Sequence, residues 1–339
     1  RYNNLVGKTA LIPLINREVP IITDKLVDIK IGTGALKITP AHDPIDFEIG
    51  QTHKLPLISV IDEKGRMVGT PEKYLDLKVD AAREEVVKDL EAAGKLIKTE
   101  KIKHVVATCY RDHGVIEPKP SEQWFLKVKA LTELALQAIE NGKVKFAADK
   151  YRKIATHWLR NLYDWNISRQ IVWGIQIPAW KCVKCDNWEI TDGVIPNKCS
   201  KCDSEKLARD TDTFDTWFSS SQWPFAVLKV NPSLDFNSFY PTSVMETAYD
   251  ILPIWVIRMI MMGLYVTEKV PFKDVVIHGL VRDREGQKIS KSKGNVIDPI
   301  IMTQKYGSDA LRISLIWGAL IENDIALSED NVRGQRNFI

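Results

Sequence analysis

Lys288-Ile289-Ser290-Lys291-Ser292-Lys293-Gly294-Asn295 follows the apolar run Val275-Val276-Ile277-His278-Gly279-Leu280-Val281, and this pairing decides the fold. The run has the length and the β-branched content of a buried strand. A basic loop leaving the C-terminal end of such a strand is a place where open α/β sheets hold phosphate. Ser290 and Ser292 offer hydroxyls there, Lys288, Lys291 and Lys293 offer ammonium groups, and Gly294 gives backbone freedom. From residue 282 to 293, five basic residues face two acidic ones, a local +3 that equals the formal charge of the whole chain. A solvated lysine loop has the same composition, so the surroundings must discriminate.

The chain has 339 residues, too many for one ordinary domain, and two or three units are expected. A hydrophobic fraction of 45% is enough for substantial cores. A net charge of +3 permits an acidic or nucleic-acid partner without demanding one. Four of the five cysteines lie in two C-x-x-C pairs with no leader before them, which points away from a secreted disulfide framework and toward a reducing cytoplasm. The longest apolar run, 251–266, contains Pro253 and is broken by Arg258. It falls short of the ~20 apolar residues that span a bilayer, so it is expected to be a buried helix, with no membrane partner. The chain opens on Arg1 rather than Met, as an internal fragment would.

Residues 1–108 form a small β-rich unit. Runs at 9–14, 19–23, 35–39 and 57–61 are short, β-branched and separated by Gly, Pro, Asp and Asn, which predicts strands. A helix is expected over 80–93, with Val86, Leu90 and Ala93 on one face and Gly94 as its stop. Lys37, Thr39, His42, Asp43 and Asp46 crowd into ten residues. Lys37 and Thr39 share a face of a strand, and Asp43 and Asp46 share a face of a helix that starts at Asp43. Such a cluster can bind an ammonium group and position a water. A turn with an Asp helix cap and a solvated His has the same spacing and is the more frequent outcome.

Residues 109–179 carry a helix at 121–140, with Leu131, Leu134, Ala135 and Ala138 inward and a stop at Asn141-Gly142. A second is expected at 153–164, with Ile154, Trp158, Leu159 and Leu162 on one side. Trp173-Gly174 follows; such a Trp can floor a small apolar pocket, though more often it is core. Residues 180–207 contain Cys182-x-x-Cys185 and Cys199-x-x-Cys202, thirteen residues apart. Two turns presenting two thiolates each close a tetrahedral site with no open position, so a structural Zn2+ ribbon is expected. In the last part, 208–339, Glu246-Thr247-Ala248-Tyr249-Asp250 reads as a strand-to-helix turn. Asp250 can accept from a ribose hydroxyl or merely cap the helix.

These segments together resemble the valyl branch of the class I aminoacyl-tRNA synthetases through nearly the whole chain. Lys288-Ile289-Ser290-Lys291-Ser292 is similar to the KMSKS signature, with Ile289 for the usual Met, an apolar exchange of similar size. Asp215-Thr216-Trp217-Phe218-Ser219-Ser220, Tyr240-Pro241-Thr242, Val270-Pro271-Phe272-Lys273-Asp274-Val275 and Ile277-His278-Gly279-Leu280-Val281-Arg282-Asp283 resemble the same branch. The resemblance implies an α/β fold. Residues 208–295 would be the second half of a Rossmann-type catalytic domain and 1–108 part of an inserted editing domain. Residues 109–179 would return the chain to the catalytic domain, 180–207 would be the ribbon, and 296–339 would begin a helical domain. No His-x-Gly-His signature is present, so the family's first half-fold is expected to precede Arg1.

The resemblance also implies roles. Lys288 and Lys291, flanked by Ser290 and Ser292, would neutralise ATP phosphates, with Mg2+, as valine attacks the α-phosphorus. Asp250 would hold the ribose, and His278 and Gly279 would sit by the adenine. Trp173 and Trp217 would line the valine pocket. Lys37, Thr39, Asp43 and Asp46 would form the editing pocket that hydrolyses threonyl-tRNA, with Asp46 on the substrate's α-ammonium. The expected protein is a cytoplasmic, monomeric valine–tRNA ligase acting on tRNA(Val). Two alternatives remain open at this point: an isoleucine–tRNA ligase, and a non-catalytic zinc-ribbon or tRNA-binding truncation.

Overall fold

The short runs near the start pair as a hairpin, β1 (Thr9–Ile12) against β2 (Arg17–Pro20), with Thr9 opposite Pro20 and Ile12 opposite Arg17. The computed structural model describes residues 2–339 except 102, 104, 110, 111, 231, 291–293 and 318–322. It divides into two compact units, Arg1–Glu122 and Gln123–Ile339. The first unit thus runs past the expected limit at 108.

Two of the four expected strands in the first unit do not form. The runs 35–39 and 57–61 join no named strand, and side chains take an amide in each: the Thr39 N–H donates to Asp46 and the Val60 N–H to the His42 ring. One bridge, Ile61 opposite Met67, is all the ladder these runs make among the described residues. β-Branching favours extension; a strand also needs a partner edge. Helix α1 (Pro44–His53) starts where Asp43 caps it. Helix α2 (Val79–Ala92) stops as expected, with Gly94 at φ +64° and the Lys95 N–H reaching back to the Leu90 carbonyl. Val86 and Leu90 are half-buried, but Ala93 is exposed beyond the last turn.

The second unit opens with β3 (Phe125–Leu126), and this displaces the start of α3 (Lys129–Glu140) from the expected 121. Leu131, Ala135 and Ala138 are buried, while Leu134 is 43% exposed and Ile139 takes the inward place. After β4 (Lys145–Phe146), α4 (Asp149–Arg160) begins one turn before the expected 153, with Asp149 paired to Arg152 and Lys153 in its first turns. Leu159 is buried on it and Trp158 is 45% exposed. β5 (Trp165–Asn166) pairs with β3. β6 (Ser168–Arg169) pairs with β10 (Thr213–Phe214). Between them lies the ribbon, β7 (Ala179–Cys182), β8 (Trp188–Ile190) and β9 (Leu207–Arg209), with β7 central. A short helix, α5 (Thr216–Ser220), follows β10.

The centre of this unit is a parallel sheet. β11 (Thr242–Ala248) pairs with β12 (Phe272–His278) from Thr242–Phe272 to Ala248–His278, and β12 pairs with β4. The connection between β11 and β12 is a turn at Tyr249–Ile251, a wide turn at Leu252–Val256 and α6 (Ile257–Thr267). By length and hydropathy the stretch Tyr249–Thr267 is apolar enough to cross a membrane. Here it buries Leu252, Val256, Ile257, Ile260 and Met261 against Phe272, Val275 and Ile277 of β12, as a core helix does. Beyond β12 come β13 (Val281–Arg282), α7 (Pro299–Tyr306), α8 (Ser308–Ile316), β14 (Ile325–Ala326) and α9 (Glu329–Phe338). β13 and β14 pair in parallel, and Met302, Leu311, Leu327 and Val332 form a second small core.

Candidate functional site

β11 and β12 end together, and the chain leaves both strands at one sheet edge. Asp250 lies two residues past β11, in the Tyr249–Ile251 turn rather than at a helix cap. His278 closes β12, its Nε2 3.0 Å from Glu246 and its Nδ1 2.6 Å from the Gly279 carbonyl. Arg282 and Lys288 bridge a hairpin in which Gly286 turns at φ +76°. That hairpin brings the Lys288 ammonium to 3.1 Å from the Asp250 carboxylate. A carboxylate and an ammonium group thus meet at the C-terminal edge of a parallel sheet, where such sheets take their ligands. Lys291 and Ser292 lie outside the described residues.

Asn295 ties the hairpin shut, a role the sequence does not reveal. Its side chain accepts from the Ser290 N–H at 2.9 Å and donates to Asp283 at 2.7 Å. Asp283 also accepts from the Gln287 N–H at 2.6 Å. Asp324 is a second unforeseen hub. Its carboxylate accepts from the Leu280 N–H at 2.7 Å, from the Tyr249 hydroxyl at 3.3 Å and from Arg282. Burial raises its pKa, but these donors outweigh that and hold the carboxyl below its ordinary value. The partners of Asp324 lie 42 to 75 positions away, so no local pattern marks it.

Gly279 is placed by contact. A Cβ there would lie 2.0 Å from the carbonyl oxygen of Asn323 and 2.6 Å from the Asp324 amide nitrogen. Gly279→Ala is therefore expected to push the 323–327 segment off β13 and destabilise the fold by about 3 kcal/mol. Amide exchange at Leu280 and Ile325 reads this directly; unchanged protection would mean the segment retreats without loss.

Trp217 sits on α5, half-buried against the sheet core. Trp173 does not join it: it is 92% exposed, although Gly174 beside it packs within 2.9 Å of Thr213 at Cβ distance. The resemblance implies that Trp173 lines the amino-acid pocket; the structure leaves its side chain open to solvent.

The four ribbon sulfurs lie within 4.8 Å of one another, with Cys182–Cys202 and Cys185–Cys199 at 3.6 Å. Tetrahedral Zn–S bonds of ~2.3 Å place sulfurs about 3.8 Å apart, so the donors fit that ion. Two equivalent knuckles build the site. The Asp186 N–H returns to Cys182 O and the Asp203 N–H to Cys199 O, and Asp186 and Asp203 both sit near φ +57° and +56°. Burial raises the Cys182 thiol, but the Lys184 and Cys185 amides overcome it and bring the group down to about 6. Glu189 on β8 accepts from the Ser200 N–H at 2.8 Å and locks the second knuckle to the ribbon.

In the first unit Asp43 caps α1, accepting from the Ile45 and Asp46 amides at 2.8 and 3.0 Å. Asp46, in the first turn, is 8% exposed and accepts from the Thr39 N–H at 2.6 Å. Lys37 meets the Thr39 hydroxyl. The expected cluster is therefore brought together, with Asp43 as its frame. His42 is committed to structure, between the Pro118 carbonyl and the Val60 N–H.

The family model for tRNA synthetases class I (I, L, M and V) matches residues 69–328. The chain belongs to the class I tRNA synthetases. A second family model, the leucyl-tRNA synthetase editing domain, matches residues 4–103 of this synthetase chain. Among curated proteins it is 46% identical over 339 residues to a valine–tRNA ligase of Pseudothermotoga lettingae, covering 100% of this chain and 39% of that protein. The valine–tRNA ligase of Geobacter sulfurreducens is 46% identical over 340 residues, with 38% of it covered. The chain thus spans about two fifths of the length of these relatives. The synthetase fold is also that of Mycobacterium tuberculosis methionyl-tRNA synthetase bound by methionyl-adenylate, at a TM-score of 0.51, 17% identity, and coverage of 67% of this chain and 39% of that one.

Proposed function

We propose that this chain is the part of a valine–tRNA ligase that carries the second half of the ATP site, the editing pocket and a zinc ribbon. The observation that carries the catalytic part is the meeting of Lys288 with Asp250 at the ends of β11 and β12. Asp250 holds the ATP ribose, with His278 and Gly279 beside the adenine. Lys288, with Lys291, meets the phosphates as the valine carboxylate attacks the α-phosphorus and pyrophosphate leaves. The lysines spread charge that grows in the transition state and transfer no proton. Mg2+ accompanies the nucleotide, Trp217 belongs to the valine pocket, and tRNA(Val) accepts the product. The identity to valine–tRNA ligases favours valine over isoleucine. The full-length protein should therefore catalyse ATP–pyrophosphate exchange with valine well above that with isoleucine; the reverse preference would overturn the assignment.

Threonine is nearly isosteric with valine. Rejection by an apolar pocket reaches only ~10² in valine enzymes, a figure established for that family and not obtained from this chain. A second, polar pocket is needed. Asp46 suits it: the carboxylate is nearly buried, is aimed by the Thr39 N–H, and has no basic ion-pair partner among the described residues. An α-ammonium would supply that partner. Asp46→Ala in the full-length protein is expected to slow threonyl-tRNA deacylation by roughly 10²-fold while valine activation stays within twofold. Deacylation at the unchanged rate would move the pocket elsewhere. The four ribbon cysteines hold Zn2+ as a structural ion, since a closed set of four thiolates leaves no place for substrate.

A further inference from the structure

Helix α5 has five residues, too few to hold its own place, so its position is set by what grips its ends. At the N-terminus Asp215 caps it, accepting from the Trp217 N–H at 3.3 Å. The other Asp215 oxygen accepts from Trp165 Nε1 at 3.0 Å and Arg169 at 3.1 Å, and Arg258 stands 3.7 Å away. At the C-terminal end, Trp255 Nε1 donates to the Ser220 carbonyl at 3.2 Å. Trp255 and Arg258 are three residues apart on the segment that begins just past Asp250, so one helical face reaches both ends of α5.

Arg258 is costly where it stands. Its side chain is 13% exposed, its guanidinium lies 3.8 Å over the Trp165 ring, and its Nε finds no acceptor among the described residues. An apolar residue of similar length would fill this place without that desolvation. Asp215 would keep Arg169 and Trp165, so no buried carboxylate would be stranded. The fold therefore does not require a cation here, and its use is local: it fixes Asp215, and Asp215 fixes the first turn of the helix that carries Trp217.

We propose that Arg258 and Trp255 are positioning residues that set Trp217 in the amino-acid pocket, and so decide which aliphatic side chain is accepted. The inference rests on the valine-activation reading above. The test uses the full-length protein with Arg258→Met, Arg258→Lys and Trp255→Phe. ATP–pyrophosphate exchange is measured with valine, isoleucine, alanine and threonine, together with thermal unfolding. For Arg258→Met, the KM for valine should rise roughly tenfold and the preference for valine over alanine should fall by about as much, with the KM for ATP and the unfolding midpoint nearly unchanged. Arg258→Lys should recover part of the preference, and Trp255→Phe should lose part of it. Wild-type preferences in all three variants would overturn the proposal. So would a lower midpoint with the two KM values rising together. If Arg258→Met fails to fold, Trp255→Phe, which keeps an aromatic side chain but loses the Nε1–H donor to Ser220, decides by the same preference ratio. Absence of valine-dependent exchange in the wild-type protein would overturn the activity reading and this inference with it.

Discussion

Lys288→Ala in the full-length protein is expected to lower valine-dependent ATP–pyrophosphate exchange roughly 10²- to 10³-fold. The reason lies in where its charge is used. Lys288 and Asp250 are 58% and 34% exposed as side chains, so their ion pair is screened by water and adds little to folding. The unfolding midpoint should hardly move. In the transition state, negative charge builds on the leaving pyrophosphate, and a cation held at the sheet edge is worth far more there than on the free protein. The loss should thus fall on kcat, while the KM for valine stays near its wild-type value. Lys288→Arg keeps the charge but changes the donor geometry, so partial activity is expected. Exchange within threefold of wild type in Lys288→Ala would remove this residue from the phosphate site.

The second large effect concerns the ribbon. The purified protein should contain one zinc per chain, and Cys199→Ser should abolish it. Cys199 and Cys182 are both 0% exposed, so the thiolates lie where water cannot replace a lost ligand. The ribbon itself is three short strands with little apolar core, and Val183, Ile190, Val194 and Ile195 point outward. Such a unit draws its stability from the ion; structural zinc in small modules contributes about 10–16 kcal/mol of apparent binding energy at neutral pH. Removing zinc should therefore open 182–207 to proteolysis while β11, β12 and α6 stay protected. Full zinc occupancy in Cys199→Ser, or an undisturbed ribbon after chelation, would contradict a four-cysteine structural site.

What was legible in the sequence follows from how locally each feature is encoded. The ribbon is written in four cysteines at fixed spacing, and the structure brings them within 4.8 Å. The stop at Gly94 and the buried α6 are local too. The strand β12 and the basic loop after it are local as well. The fate of the runs 35–39 and 57–61 was not legible, because β-branching does not say whether an edge waits to pair; there the amides went to Asp46 and His42. Trp158 and Leu134 obey helical spacing yet stay outside, since periodicity gives a face but not the width of what covers it. Asp324 carries no local signal because its partners are fixed only once the sheet has folded, and Asn295, whose partners lie within one hairpin, reads from composition alone as an ordinary loop residue.

The close approach of Gly279 to Asn323 has a consequence for how this chain can be cut. Every residue named for the nucleotide lies at or before position 295. The shape of the turn after β12 is nevertheless set from 323–327, by the Asn323 carbonyl against Gly279 and the Asp324 carboxylate on Leu280 and Arg282. A fragment ending between the two would keep the whole signature and lose the mould that shapes it. The smallest autonomous piece that carries the proposed nucleotide edge thus extends past the last recognisable letter of its motif.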